Sequence, residues 1–243
     1  MQSIFRKFLF TCGLILISIS TIYAQKNKLD PPRIAAGIKG GYYSSAVAFT
    51  TAPISQAPVA APTFGVVFKY NAEKFFGLQL EATYNKIGWK EYNQENLTEF
   101  VYDRSMNYIS VPALTNIYIG KKNFQFVILL GPQFDFLVGE QKDVIGDLND
   151  QRYDYYEREA NPAVVYLAGG VGFNILTKFG HFQFEGRFAA SMTDVLKNAD
   201  RSSTNRTTAT VGGVTLSYIL PISGWKEKPK EEPASDSGWE IRD

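Results

Sequence analysis

The stretch that decides the fold lies at residues 123–136 and reads NFQFVILLGPQFDF. From Phe124 to Phe136 every second residue is apolar, and the residues between them include Gln125, Gln133 and Asp135. Alternation with a period of two places an apolar face and a partly polar face on one β-strand. We therefore predict a strand that separates two different environments.

The same alternation recurs along the chain. It is regular at 75–84, 164–175 and 181–192, and less regular at 34–43, 63–70, 108–119 and 208–220. Together with the first stretch, these segments give eight predicted strands. In the last segment the apolar phase shifts at Gly212 and Gly213, which predicts a β-bulge.

Short and long connections alternate between the predicted strands. The short ones are 71–74, 120–122 and 177–180, and the long ones are 44–62, 88–106, 139–162 and 193–207. This regularity is typical of barrels with tight periplasmic turns and long extracellular loops. We predict an all-β fold, an eight-stranded antiparallel up-and-down transmembrane β-barrel in the cell outer membrane, with lipid against its Phe, Leu, Val and Ile face.

The other face is predicted to line a narrow interior of small and charged residues. Three cations and three anions fall on it: Lys39, Lys69, Glu81, Asp135, Glu185 and Arg187. A balanced network of paired ions would plug the interior rather than conduct. Alternatively, several of these groups lie in water near the rims, because Lys and Arg side chains can snorkel.

Large aromatic residues near the ends of the predicted strands suggest girdles at the two membrane interfaces. They are Tyr42, Tyr43, Tyr70, Phe75, Tyr84, Trp89, Tyr108, Tyr118 and Phe179.

Both ends of the chain differ from the predicted barrel. Arg6 and Lys7 precede an apolar run, and Ala24 offers a small residue for cleavage, as in a secretory signal peptide. The end of the chain mixes charges with prolines, which predicts disorder. The predicted divisions are a signal peptide at 1–24, a barrel domain at 25–223 and a disordered periplasmic tail at 224–243.

Composition excludes several function classes. The 243 residues carry a formal net charge of +1, so no basic excess favours nucleic-acid binding. One Cys and one His leave little for disulfide, metal or proton-transfer chemistry. Outside the N-terminus no run of about 20 apolar residues predicts a membrane-spanning helix. We predict no cofactor, no metal site and no catalytic residue.

Several motifs resemble the PorT-type outer-membrane β-barrel domain of Bacteroidota. They are Tyr108-Ile109-Ser110-Val111-Pro112-Ala113-Leu114, Gly131-Pro132-Gln133-Phe134, Ala168-Gly169-Gly170-Val171-Gly172, Phe184-Glu185-Gly186-Arg187-Phe188 and Ser191-Met192-Thr193-Asp194. The resemblance covers roughly residues 34–222 and implies an eight-stranded outer-membrane barrel. The namesake of that family takes part in protein secretion. The stretch 213–218 is also similar to the signal that the barrel-assembly machinery reads.

Three sequence features resemble chemical sites, but the signal of each is weak. His181 is the single histidine, and no nucleophile is evident beside it, so a turn residue is favoured over a hydrolase. The glycines at 169–172 lack the following helix that a phosphate loop needs. The acidic residues of 143–159 do not have the spacing of an EF-hand.

We expect a non-enzymatic structural or interaction barrel. The alternatives are a small pore and a lipid-acting barrel enzyme. Expected partners are outer-membrane lipid, the barrel-assembly machinery during insertion and an unknown extracellular or periplasmic protein. In the 139–162 loop, Tyr153, Tyr155 and Tyr156 are candidate contact residues, since Tyr is enriched at binding hot spots. Alternatively, these tyrosines fold the loop over the barrel mouth.

Overall fold

The structure is a computed structural model that describes residues 32–49, 56–92, 100–121, 123–144, 157–197 and 206–223. The predicted signal peptide and the predicted C-terminal tail therefore lie outside the described residues and stay predictions.

Eight antiparallel strands form a closed barrel, in which each strand pairs with its neighbours in sequence and β8 pairs with β1. The strands are β1 (Ile34–Phe49), β2 (Gln56–Asn71), β3 (Phe76–Tyr92), β4 (Phe100–Lys121), β5 (Phe124–Val144), β6 (Ala163–Thr177), β7 (Gly180–Ser191) and β8 (Thr207–Ser223). The predicted fold class is confirmed. Within the described ranges, no helix is long and apolar enough to cross a bilayer.

The predicted outward face forms the lipid-facing surface of the barrel. Phe188 and Leu216 are 58% and 53% exposed, whereas their neighbours Arg187 and Thr215 are buried. Closing the sheet pairs the backbone groups of every strand, which a bilayer requires. The short connections lie at one end, which is the periplasmic end of a barrel of this kind.

Several strands are longer than predicted, so the loops are shorter. β1 continues to Phe49, β2 begins at Gln56 and β5 continues to Val144, which assigns parts of the 44–62 and 139–162 loops to strands. At the extracellular end of β5, residues 141–144 are all exposed. Where both faces meet water, apolar alternation fades although backbone pairing continues, and the sequence pattern ends before the strand does.

The predicted bulge at Gly212 and Gly213 is wrong. The register between β1 and β8 runs without a break through Tyr43–Gly213 and Ser44–Gly212, and it shifts only between Ile34 and Ala35. The apparent phase change arises because Ala209 and Val211 point into the barrel whereas Val214 and Leu216 face lipid. The apolar residues change face while the strand stays regular.

Ala209 and Val211 belong to a large apolar cluster in the interior, which is therefore not small and charged throughout as predicted. The cluster extends from the extracellular end down to Tyr118, near the periplasmic end of β4. Its buried members are Tyr43, Val47, Ile87, Trp89, Tyr102, Met106, Tyr108, Leu114, Tyr118, Val127, Leu129, Ala160, Val164, Tyr166, Ala168, Ala189, Val195, Leu196, Ala209 and Val211. The interior is therefore filled by side chains over much of its length.

Only part of the set predicted to form aromatic girdles faces outward. Tyr42, Tyr70, Phe75 and Phe179 are exposed on the outside, and Tyr84 is partly exposed. Tyr43, Trp89, Tyr108 and Tyr118 are instead buried inside the barrel. Room for Tyr43 comes from Gly213, where an added Cβ would lie 2.5 Å from Cδ1 of the tyrosine ring.

Candidate functional site

Four of the six predicted interior charges come together in one group, the ionic cluster of Lys39, Glu81, Glu185 and Arg187. Lys39 comes from β1, Glu81 from β3, and the other two from β7. Glu185 and Arg187 are two residues apart, so both point to the same side of β7. The cluster thus joins strands from different parts of the barrel wall.

The ionic cluster is compact and internally balanced. The Lys39 ammonium donates to Glu81 Oε1 at 2.9 Å and also to Glu185. Arg187 donates from Nη1 and Nη2 to the two oxygens of Glu81, both at 2.7 Å, and its Nη2 lies 2.6 Å from Glu185 Oε1. All four side chains are at most 4% exposed. Two cations and two anions give no net charge, which is the arrangement that buried ions need.

Two glutamine side chains extend the cluster toward the periplasm. Gln79 donates to Glu81, and Gln183 donates to Glu185 Oε2 at 2.6 Å. Gln183 also donates to Gln79 Oε1 at 3.3 Å. Neither glutamine carries a charge or belongs to a motif that would mark it in the sequence. Their spacing of two residues from the glutamates is the signal that would have found them, since such residues share a strand face.

The other two predicted charges make no salt bridge to the ionic cluster among the described residues. Lys69 donates to the Gln183 side-chain oxygen, and its Nζ is 5.6 Å from the centre of the Tyr118 ring. Asp135 is fully buried and accepts a hydrogen bond from Gln133 at 2.9 Å. The six residues therefore form an ionic cluster of four, a lysine linked to that cluster through Gln183, and a separate buried aspartate.

A cap formed by residues 157–162 and 192–197 covers the extracellular end. Ala160 and Leu196 form an antiparallel bridge, and the Asn161 amide donates to the Val195 carbonyl at 2.8 Å. Val195 and Leu196 are fully buried. These apolar side chains join the interior cluster, so the cap packs against the barrel interior.

Arg104 fixes the cap to the barrel wall. Its guanidinium donates from Nε to Glu140 Oε1 at 2.8 Å and from Nη2 to the Arg158 carbonyl at 2.5 Å. It also lies 5.5 Å from the centre of the Trp89 ring, within the range of a cation–π contact. Arg104 and Glu140 fall in segments predicted as loops, so sequence reasoning missed both.

On the outside of the cap, Lys197 Nζ donates to Glu159 Oε2 at 2.6 Å. This hydrogen bond lowers the pKa of the Glu159 carboxyl. Both side chains are at least half exposed, so solvent screens the pair and it stabilises the cap little.

The remaining sequence candidates are placed as follows. His181 is buried at the periplasmic start of β7, and no described side chain hydrogen-bonds to it. The glycines of 169–172 lie within β6, and a Cβ on Gly172 would lie 2.2 Å from the Phe184 carbonyl oxygen. Among the described residues, no three acidic, His or Cys side chains are grouped to hold a metal ion. Tyr153, Tyr155 and Tyr156 lie outside the described residues.

Comparison with known proteins agrees with this architecture. Residues 23–197 match the family described as outer membrane protein beta-barrel domain. The chain belongs to this family. It is therefore an outer-membrane β-barrel protein located in the cell outer membrane. The narrower resemblance to PorT-type domains of Bacteroidota stays a prediction.

Several solved barrels are similar to the structure at low sequence identity. OprG from Pseudomonas aeruginosa is 15% identical, with 80% of this chain and 99% of OprG covered at a TM-score of 0.49. Ail, the attachment invasion locus protein of Yersinia pestis, is 14% identical, with 76% and 98% covered at 0.38. Neisserial surface protein A is 8% identical, with 76% and 96% covered at 0.37. Among curated proteins, no sequence matches the chain.

Proposed function

We propose that this protein is a non-enzymatic outer-membrane barrel with a closed interior and a structural or interaction role. The observation that carries the proposal is the ionic cluster, because it links β1, β3 and β7 through buried contacts between Lys39, Glu81 and Arg187. An interior filled in this way leaves the extracellular surface as the place for recognition.

We propose that the loop predicted at 139–162, of which the structure assigns 139–144 to β5, makes the main extracellular contact. Support comes from its composition, since Tyr153, Tyr155 and Tyr156 offer large contact areas at modest ordering cost. Cross-linking in intact cells, followed by identification of the captured proteins, tests this. Replacing the three tyrosines with Ser should weaken capture and leave folding unchanged. Undiminished capture would place the contact elsewhere, with the 224–243 tail as the next candidate.

The resemblance to PorT-type domains supports a link with protein secretion. A deletion strain should then release fewer secreted proteins into the medium, with complementation by the wild-type gene as the control. An unchanged set of secreted proteins would remove this part of the proposal and leave the interaction role intact. During insertion, the 213–218 stretch is proposed to contact the barrel-assembly machinery.

Two alternative functions are separated by direct assays. A small pore would let sugars swell liposomes that contain the barrel, whereas a filled interior predicts no swelling above that of empty liposomes. A lipid-acting enzyme would depend on His181, so His181→Ala would abolish turnover of a lipid substrate. Without turnover by the wild-type protein, the enzyme alternative is contradicted.

A further inference from the structure

A row of four polar side chains crosses the periplasmic half of the barrel interior. Gln125 on β5 pairs with Asn174 on β6, Asn174 with Gln183 on β7, and Gln183 with Ser217 on β8. All four are buried. Directly paired residues of antiparallel strands lie close enough for their side chains to act together. The register thus builds a continuous polar surface over four neighbouring strands.

Three side chains in this row have an oxygen without a partner. Among the described residues, no hydrogen bond reaches Gln125 Oε1, Asn174 Oδ1 or Ser217 Oγ. Buried polar groups in folded proteins are nearly always hydrogen-bonded, so a group of unpaired ones needs an explanation. A bound species in contact with the row would supply it.

Lys69 approaches the row from β2. Its ammonium donates to the side chain of Gln183, the third member of the row. Within the described residues it has no salt bridge, whereas Lys39 and Arg187 both contact Glu81 and Glu185. Three buried cations in this region therefore face two carboxylates. The region therefore has one cation in excess, and a bound anion would balance it.

Asp135 lies too far away to supply that charge. It lies 11 positions from the periplasmic end of β5 at Phe124, whereas Lys69 lies two positions from the periplasmic end of β2 at Asn71. The difference of nine positions corresponds to roughly 20 Å along the axis of a tilted barrel. Asp135 therefore does not balance the charge of Lys69.

We propose that Lys69 and the row Gln125, Asn174, Gln183 and Ser217 form a binding site, the Lys69 site, for a small anion with one negative charge. The Lys69 ammonium supplies the cation, and the Ser217 hydroxyl donates a hydrogen bond. The Gln125 and Asn174 amides donate once their oxygen and nitrogen positions are exchanged, because the two orientations fill the same space. Gln183, in contrast, keeps its orientation and holds the Lys69 ammonium. Lys69 and Gln125 lie near the periplasmic ends of their strands, so the anion enters from the periplasm and not through the cap.

Bromide is a suitable probe because its anomalous scattering identifies it in a crystal. Crystals of the full-length mature protein soaked in sodium bromide should show one bromide in contact with the Lys69 ammonium. Crystals of Lys69→Met should lose this peak. Lys178→Met is the matched control, since Lys178 is an exposed lysine in the β6–β7 turn at the same end of the barrel, and it should keep the peak.

The proposal is overturned if wild-type crystals show no bromide at Lys69, or if the peak persists in Lys69→Met. Whether bromide binds at Lys69 is decided by the wild-type crystals alone, so this part of the test does not depend on folding of the variant. Ser217→Ala should lower the bromide occupancy at least twofold, and an unchanged occupancy would exclude the row from the site. Acetate added with bromide should displace it if the site also accepts carboxylates, whereas undiminished bromide density would restrict the site to halide-sized ions.

Discussion

Removal of Arg187 from the ionic cluster should destabilise the barrel strongly. In Arg187→Met, a methionine of similar length replaces the guanidinium that contacts Glu81 at 2.7 Å and Glu185 at 2.6 Å. Lys39 is then left with two buried carboxylates, so the cluster changes from neutral to one net negative charge. The cost arises because the remaining carboxylates lose a partner that water cannot replace.

The expected magnitude follows from the burial of the group. Removing one partner of a buried ion pair typically costs about 3–5 kcal/mol. Because Lys39 still contacts both Glu81 and Glu185, we expect the lower end, about 3 kcal/mol. This loss corresponds to roughly a 100-fold change in the ratio of folded to unfolded protein. In the background of Arg187→Met, Glu81→Gln should restore about 1 kcal/mol or more of the free energy of unfolding. Interaction energies between contacting residues are of about this size.

Urea titration of the barrel in lipid vesicles can measure this loss, with the folded fraction read from heat-modifiable gel mobility. The matched control is Arg206→Met, because Arg206 lies 3.9 Å from Asp194 with its side chain 55% exposed. Exposed ion pairs stabilise a protein by about 0–1 kcal/mol, so Arg206→Met should lower the free energy of unfolding by no more than that. If Arg187→Met costs no more than Arg206→Met, the ionic cluster does not hold the barrel together.

Three further perturbations test other parts of the structure. Gly41→Ala should cost about 1–3 kcal/mol in free energy of unfolding, because its Cβ would lie 2.2 Å from the Val214 carbonyl oxygen. Gly40→Ala, whose nearest neighbour atom is 3.8 Å away, is the control and should change it by less than about 0.5 kcal/mol; equal effects would refute the close packing. Leu216→Lys should cost about 2–4 kcal/mol in the same titration, because Leu216 faces lipid; a neutral effect would place this face in water. Val195→Asp should accelerate cleavage within the cap by protease added outside intact cells and leave heat-modifiability intact, since Val195 is fully buried; unchanged cleavage would show that the cap does not depend on it.

The sequence was sufficient for the strand number and the barrel class, because a lipid face and an interior face impose a period of two on every strand. Strand ends were less predictable. Beyond the membrane, residues such as those at 141–144 face water on both sides, so no pattern marks their pairing. The same reasoning misassigned the adjacent tyrosines Tyr42 and Tyr43 to one girdle. Because successive residues of a strand point to opposite faces, Tyr42 faces lipid whereas Tyr43 faces the interior.

Membership of the ionic cluster could not be predicted from the sequence. All six charges could be assigned to the inward face, but contact also depends on the stagger between strands. That stagger brings Lys39 on β1 to Glu185 on β7 and leaves Asp135 on β5 apart. Register is set by the packing of the whole barrel, and an alternating pattern carries little information about it. Arg104 and its partner Glu140 were missed for a different reason: both lie on strand segments beyond the alternating pattern, which were predicted as loops.

Single-channel recording of the wild-type barrel in planar lipid bilayers tests the central claim of a closed interior most directly. The buried contacts of Lys39, Glu81, Glu185 and Arg187, together with the apolar residues and the cap, predict no stepwise conductance from protein whose folded state is established by heat-modifiable mobility. Stable, reproducible conductance steps from the folded wild-type barrel would contradict the closed interior and favour the pore.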